Sequence, residues 1–84
     1  MAKAINIHAF AKRFGEIYDT LYHSVSAYDR LLEEKACETF DRMMKTNKAF
    51  CDFVNEYVAF RQDFISSDRE AAAFILTLDE MANS

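Results

Sequence analysis

The sequence of 84 residues predicts an all-α protein, a compact bundle of about four amphipathic helices with short connections. Three observations predict this fold class. The chain has no proline and one glycine, Gly15, so the residues that usually mark hairpin turns are almost missing. Apolar residues recur with a 3.6-residue period over most of the chain, whereas strict apolar–polar alternation is never sustained. The stretches between periodic segments are short, which favours antiparallel helices in a single domain over residues 1–84.

The first helix is predicted from about Asn6 to His23, because its apolar residues fall on one arc at about 100° per residue. Gly15 lies at the edge of that arc, where the missing side chain could admit a close neighbour. Ser26 then offers an N-cap for a second helix. We favour a break at this point; one bent helix over residues 6–45 is the alternative.

The second helix is predicted over residues 27–45. Two i,i+4 ion pairs in the favourable orientation are expected on its surface, Glu38 with Arg42 and Asp41 with Lys45. The residues expected to face inward are Tyr28, Leu31, Leu32, Ala36, Phe40, Met43 and Met44.

The third and fourth helices are marked by their caps. Thr46 and Asn47 are natural N-caps for a helix over residues 48–65. The stretch Ser67-Asp68-Arg69-Glu70 is a capping box with an acid in the first turn, the clearest helix start in the chain. The core face expected for this fourth helix is Ala71, Phe74, Ile75, Leu78 and Met81.

The third helix carries a stripe of aromatic residues. Together with its aliphatic residues the stripe covers an arc of roughly 180–200°, against roughly 100° for an ordinary surface helix. Either this helix forms the centre of the bundle, or part of the arc stays open for another protein or a second copy of the chain. The members of the stripe are Phe50, Phe53, Tyr57, Phe60 and Phe64.

Arg61 lies near the middle of this stripe, where a charged residue is unusual. One interpretation is an internal ion pair with Asp29 or Glu33, acids that fall in the apolar sector of the second helix. A second interpretation is an interface residue, because Arg and aromatic residues are enriched at binding hot spots. In the third, the methylenes of Arg61 lie on Phe64 and Tyr57 while the guanidinium reaches water.

Motifs for catalysis or for metal binding are missing. A phosphate-binding loop needs glycines that this chain lacks, and neither histidine belongs to a Glu-x-x-His pair. Asp19 and His23 share one helix face, but a solvated polar face explains them. Cys37 and Cys51 are expected to be reduced, packed thiols. We therefore predict no enzyme activity, no cofactor and no metal ion.

The composition favours a protein that binds another protein. With two thiols expected to be reduced, no secretion signal and no apolar run long enough to span a membrane, the chain is expected to be cytoplasmic. We predict a small non-catalytic interaction module of the inhibitor, immunity or adaptor type, such as a phage-type inhibitor of a host enzyme or defence complex. It would act by occlusion and would form a homodimer. The candidate partner-binding residues are Phe53, Phe60, Arg61 and Leu76, the last on the predicted polar side of the fourth helix.

Two alternatives belong to other functional classes. A helical regulator associated with nucleic acid could use the basic residues Lys3, Lys12 and Arg13. The negative net charge opposes it, because phosphate binding depends on neutralisation by Lys and Arg. A carrier could hold a small ligand or metal ion within the aromatic interior.

Overall fold

The structure is a computed structural model and describes residues 5–83. Their fold is all-α, as predicted, with a Cα radius of gyration of 12.3 Å, close to the roughly 12 Å expected for a compact chain of this length. The helices are α1 (Ile7–His23), α2 (Ala27–Thr46), α3 (Lys48–Arg61) and α4 (Asp68–Ala82).

Each helix begins after a polar residue whose side chain accepts a backbone N–H, which satisfies part of the helix's unpaired donors. These N-caps are Asn6, Ser26, Asn47 and Ser67. The Ser67 hydroxyl accepts from the Glu70 N–H at 3.1 Å and donates to the Glu70 carboxylate at 3.2 Å, so the Ser67 half of the predicted capping box is formed. The break between α1 and α2 is confirmed, because residues 24–26 are not helical.

The third helix ends at Arg61 and not at residue 65. Gln62 adopts a left-handed conformation with φ 58° and ψ 38°, and its N–H donates to the Val58 carbonyl. Phe64 and Ile65 continue the apolar period in the sequence, but after Gln62 the backbone no longer places them on the helix face. The predicted end was therefore wrong.

The centre of the bundle is α4, which packs against both α1 and α2. Four consecutive residues, 71–74, are buried, and so is Thr77. Three of the four are alanines, whose small side chains let neighbouring helices approach the α4 backbone from several sides. The interpretation of α3 as the central helix was wrong, and the expected α4 core face omitted Ala72, Ala73 and Thr77.

Phe74 connects α4 to the other three helices. Its fully buried ring lies 4.9–5.8 Å from the centroids of five other rings, most of them edge-on. Aromatic pairs of this kind each contribute about 0.5–1.5 kcal/mol beyond the area that they bury. The five rings belong to Phe10, Phe40, Phe50, Phe53 and Tyr57.

The inward face predicted for α2 was too wide. Ala36 and Phe40 are buried, but Tyr28, Leu31 and Met44 are exposed. At about 100° per residue, these three lie roughly 60–160° around α2 from the midpoint between Ala36 and Phe40. The two expected ion pairs on α2 are also not formed among the described residues, where the acid Glu33 pairs instead with Arg30 and Arg69.

Candidate functional site

Two phenylalanines remain accessible where α3 ends. Phe60 is 43% exposed and Phe64, in the loop that follows, is 75% exposed. The ring of His8 stands edge-on against Phe60, with 4.8 Å between the centroids. We call Phe60, Arg61 and Phe64 the α3 end. The second interpretation of the wide arc, that part of it stays open, therefore describes this end of the helix.

Arg61 is held against two aromatic rings. Its guanidinium carbon lies 5.2 Å from the Phe14 ring centroid and 5.5 Å from that of Tyr57, within the range of cation–π attraction. Its Nη1 donates to the Tyr57 hydroxyl at 3.2 Å. The side chain is 30% exposed, so most of it is covered. The guanidinium is thus held in one orientation on the rings of Phe14 and Tyr57.

The acids near Arg61 differ from those that we expected. Its Nη2 lies 3.5 Å from Asp63 Oδ2, and its Nη1 lies 3.8 Å from Glu70 Oε2. Asp29 instead accepts a hydrogen bond from Ser24, and Glu33 pairs with other arginines. An internal pair exists, but the partners named from the sequence were wrong, since the order in which helices pack decides which acids approach.

Tyr57 joins the buried core to the α3 end. Its ring lies 5.6 Å from that of Phe74, while its hydroxyl accepts the hydrogen bond from Arg61. Burial raises the pKa of the Tyr57 hydroxyl above its usual value, and the Arg61 hydrogen bond opposes that rise in part. The hydroxyl is therefore a neutral group at physiological pH.

A groove on α1 lies beside Arg61 and has a volume of about 260 Å³. Phe14 and Tyr18 form part of its wall and are the first pair of a stacked series that Tyr22 continues, with successive centroids 6.3 Å apart. At Gly15 an added Cβ would meet nothing within 4 Å, so the close neighbour expected there is missing. The groove is lined by Ala11, Phe14, Gly15, Tyr18, Tyr57 and Arg61.

The four predicted partner-binding residues do not form one surface. Phe53 is half-buried, with its ring 5.0 Å from that of Phe10 and 5.8 Å from that of Phe74. Leu76 is also half-buried and packs against the core, lining a different groove from Arg61. Its place on a polar side was wrong, because neighbours cover the middle of α4, from Ala71 to Thr77, on most sides. Only Phe60 and Arg61 lie together.

Sequence reasoning missed the groove residues on α1. Phe14, Tyr18 and Tyr22 recur every four residues, which is the spacing of neighbours along one helix face. That spacing could have identified the aromatic series. The sequence carried no signal that Arg61, on another helix, lies over its first ring.

A larger groove of about 600 Å³ lies between α2 and the start of α4. Most of its lining is charged, unlike the mainly apolar lining of small-molecule sites. Cys37 lies in it, and burial and the nearby Asp68 raise the pKa of its thiol, which disfavours the nucleophilic thiolate. Both cysteines are free thiols. No group of three or more His, Cys, Asp or Glu within residues 5–83 could hold a metal ion.

The basic residues proposed for nucleic-acid contact are only partly available. Lys3 lies outside the described residues. Arg13 donates to both carboxylate oxygens of Glu80, at 2.6 Å and 2.9 Å, and also contacts Glu16. The hydrogen bond from Arg13 lowers the pKa of Glu80. Because Arg13 is already matched with acids, it offers little net positive charge to a phosphate.

Comparisons with known proteins found no relative: no family model, curated protein or solved structure matches the chain. In the part of the chain from residue 5 to 83, no helix has both the length and the apolar character that crossing a membrane requires. The function has to be inferred from the chemistry of the α3 end and its groove.

Proposed function

We propose that the protein is a small non-catalytic protein–protein interaction module, of the inhibitor, immunity or adaptor type. The observation that supports this function is the exposure of Phe60 and Phe64, which lie one residue before and three residues after Arg61 in the sequence. Fully burying a phenylalanine side chain contributes about 1.5–3 kcal/mol. The fold leaves much of that contribution unused at both rings, and a partner that covered them would gain it.

The state of Arg61 adds to this proposal. Arg and aromatic residues are the side chains most enriched at binding hot spots. The guanidinium already rests on Phe14 and Tyr57 and is only 30% exposed, so little side-chain freedom is lost when a partner binds. A partner surface seated on the α3 end would be occluded, which is how a small inhibitor acts.

A second copy of the chain is one partner that the α3 end could bind, and we propose a homodimer on this basis. Light scattering of the purified protein at high concentration tests it. A dimer mass that falls to that of a monomer when Phe60 and Phe64 are replaced by serine is the expected result. A wild-type mass that stays near 9.7 kDa at all concentrations rules the homodimer out.

The test of the main proposal is affinity capture from nuclease-treated lysate, read by mass spectrometry. The bait is the tagged chain, and the test variant carries Phe60→Ser with Phe64→Ser. The matched control carries Tyr28→Ser with Leu31→Ser, which removes two exposed apolar side chains from a different helix. Circular dichroism first establishes that both variants fold.

A partner that wild type and control retain, and that the test variant loses, supports binding through the α3 end. Equal loss from both variants would indicate that the surfaces bind by general hydrophobicity. No retained partner in any sample, together with a monomer in light scattering, would contradict the proposed function.

A further inference from the structure

The turn between α1 and α2 has none of the residues that usually stop a helix. It consists of Ser24, Val25 and Ser26, without glycine, proline or a left-handed residue. Ser24 and Ser26 have φ of −78° and −73°, near the helical value of about −63°, and only their ψ, at 140° and 133°, is extended. Rotation about ψ would therefore bring both residues into the helical region and join α1 to α2.

The hydrogen bonds that hold this turn are local. The Ser24 hydroxyl donates to the Asp29 carboxylate, and the Ser26 hydroxyl accepts from the Asp29 N–H at 3.4 Å. The guanidinium of Arg30 donates to the Leu21 carbonyl. All three hydrogen bonds lie within residues 21–30. In a joined helix the Leu21 carbonyl would instead accept the backbone N–H four residues later, so the helix would supply replacements.

The apolar period continues in phase across the turn. At about 100° per residue, Phe14, Leu21, Val25, Leu32 and Ala36 would fall within about 60° of one another on a joined helix. Phe14, Leu21 and Ala36 are buried, whereas Val25 in the turn is 99% exposed. A joined helix would thus present the buried sides of α1 and α2 in one direction, with Val25 between them.

The contacts that hold α1 do not depend on its connection to α2. Among the described residues, α1 packs against α4 and α3, and it hardly approaches α2 except at the turn. On α1, the Phe10 ring lies 4.9 Å from that of Phe74 and 5.2 Å from that of Tyr57, and Arg13 donates to Glu80. The surface that α1 covers is therefore complementary to α1 of any copy of the protein.

We infer that the turn at residues 24–26 is a hinge through which two copies of the chain exchange α1. In the exchanged dimer each copy has one helix over residues 7–46, about 60 Å long, whose first half packs on α4 and α3 of the other copy. Val25 moves from solvent to the junction between the two cores, because it lies on the side of that helix that faces both.

The exchanged dimer carries two α3 ends, and each is built from two copies. His8, which stands against Phe60, and Phe14, which lies under Arg61, belong to α1 and would come from the other copy. The inference goes beyond the proposed function, since the α3 end has the same contacts before and after exchange. This dimer differs from one that closes through the α3 end, because it leaves Phe60 and Phe64 exposed.

The test measures dimers after refolding from urea, because α1 has to leave the core before it can be exchanged. All proteins carry Phe60→Ser with Phe64→Ser, which removes association through the α3 end. The test variant is Ala27→Pro. The first residue of a helix accepts proline, and Ser26 before it is extended, but inside a joined helix the proline would break the backbone hydrogen bonds. Lys48→Pro, at the same position of α3, is the matched control.

Size-exclusion chromatography with light scattering gives the association constant after refolding at low and at high protein concentration. Dimers are expected from the background protein and from Lys48→Pro. Ala27→Pro should weaken association by roughly a hundredfold or more, as a proline inside a helix does. Ser24→Ala with Ser26→Ala removes the cap of α2 and should strengthen association about fivefold. Thermal melts first establish that each variant folds.

A dimer that Ala27→Pro retains, or no dimer from any of these proteins, would overturn the inference. Mixing preformed dimers of isotope-labelled and unlabelled copies gives a second readout by native mass spectrometry. Exchanged dimers mix no faster than the chain unfolds, and faster mixing would show ordinary surface association. If Ala27→Pro fails to fold, Val25→Gly decides, since glycine disfavours the joined helix and leaves the turn unconstrained. Unchanged association of Val25→Gly would also overturn the inference.

Failure here is separable from failure of the proposed function. A cellular partner captured through the α3 end, without any exchanged dimer on refolding, leaves the proposed function standing and removes the hinge. Exchanged dimers, without any cellular partner at the α3 end, would retain the hinge and remove the proposed function.

Discussion

The middle of α4 and the α3 end are both rich in apolar residues, but they have opposite surroundings. In α4 the three alanines and Phe74 are buried on every side, whereas at the α3 end the rings of Phe60 and Phe64 face solvent. Of these two helices, α3 carries more large rings, and it is α3 that stays partly open. A central helix needs small side chains where its neighbours cross it, and large rings fill the layer between helices.

The two regions also differ in whether their apolar residues stabilise the fold or remain available to a partner. Phe74 contacts five rings, so its apolar area already contributes to folding. Phe64 projects from a loop, and its apolar area contributes little to the folded state. Substitutions in the two regions should therefore differ in which property they change.

The largest difference is expected between Phe74→Ala and Phe64→Ala. Truncating a buried phenylalanine costs about 3–5 kcal/mol, much of the total stability of a small domain, so Phe74→Ala should be largely unfolded. Phe64→Ala should change the free energy of unfolding by no more than about 0.5 kcal/mol. Urea denaturation followed by circular dichroism measures both. Similar losses for the two variants would contradict the assignment of centre and open end.

The next largest effect is expected from enlarging a small residue of α4, which tests whether α4 is central because its residues are small. Ala72→Leu adds bulk where the residue is fully buried and should cost about 1–3 kcal/mol. Ala59→Leu adds the same bulk on an exposed position of α3 and should stay within about 0.5 kcal/mol of wild type. Thermal melts compare the two. A tolerated leucine at residue 72 would show that α4 is less tightly enclosed than the structure indicates.

Tyr57→Phe tests the residue that links the two regions. At neutral pH the loss of its hydrogen bond with Arg61 should cost about 0.5–1.5 kcal/mol. The folded-state pKa of Tyr57 is raised above 10.0, so its contribution is full below pH 10 and is lost as the pH rises through the folded pKa. Denaturation between pH 7 and pH 11 measures this, and the variant should lack that part of the alkaline loss. An identical profile for both proteins would show that the hydroxyl is not protected.

The smallest expected change is an increase in stability. Gly15→Ala should stabilise the protein by about 0.5–1 kcal/mol, because alanine favours the helix and the added methyl has open space. A melting temperature above that of wild type is the expected readout. A lower melting temperature would mean that another part of the free protein already approaches the α1 backbone at residue 15, which would contradict the open space found there.

Local signals predicted the helices well. Three of the four N-caps, Ser26, Asn47 and Ser67, were predicted from polar residues before an apolar periodic segment, whereas Asn6 was predicted as the first helical residue and is the cap. The error at the end of α3 has a local cause. Left-handed residues at helix ends are usually glycine or asparagine, and Gln62 carries no such signal.

The candidate site was predictable only in part. Phe60 and Arg61 were identified because they are adjacent on one helix with an unusual composition. Phe14 and Gly15 were not, because their relation to Arg61 is a contact between helices that are distant in the sequence. Leu76 was placed on a polar side because the periodicity of a single helix does not reveal that a neighbour covers its other face.

By itself, the sequence determined that the chain forms helices and where most of them begin, since caps and periodicity act within a few residues. The tertiary structure decided which helix is central, which rings stay exposed and which acids approach Arg61. Those properties depend on side-chain volumes from several helices that meet at one place. The small residues of α4 let its neighbours enclose it. The large rings of α3 are covered along most of the helix, but no neighbour covers those at its end.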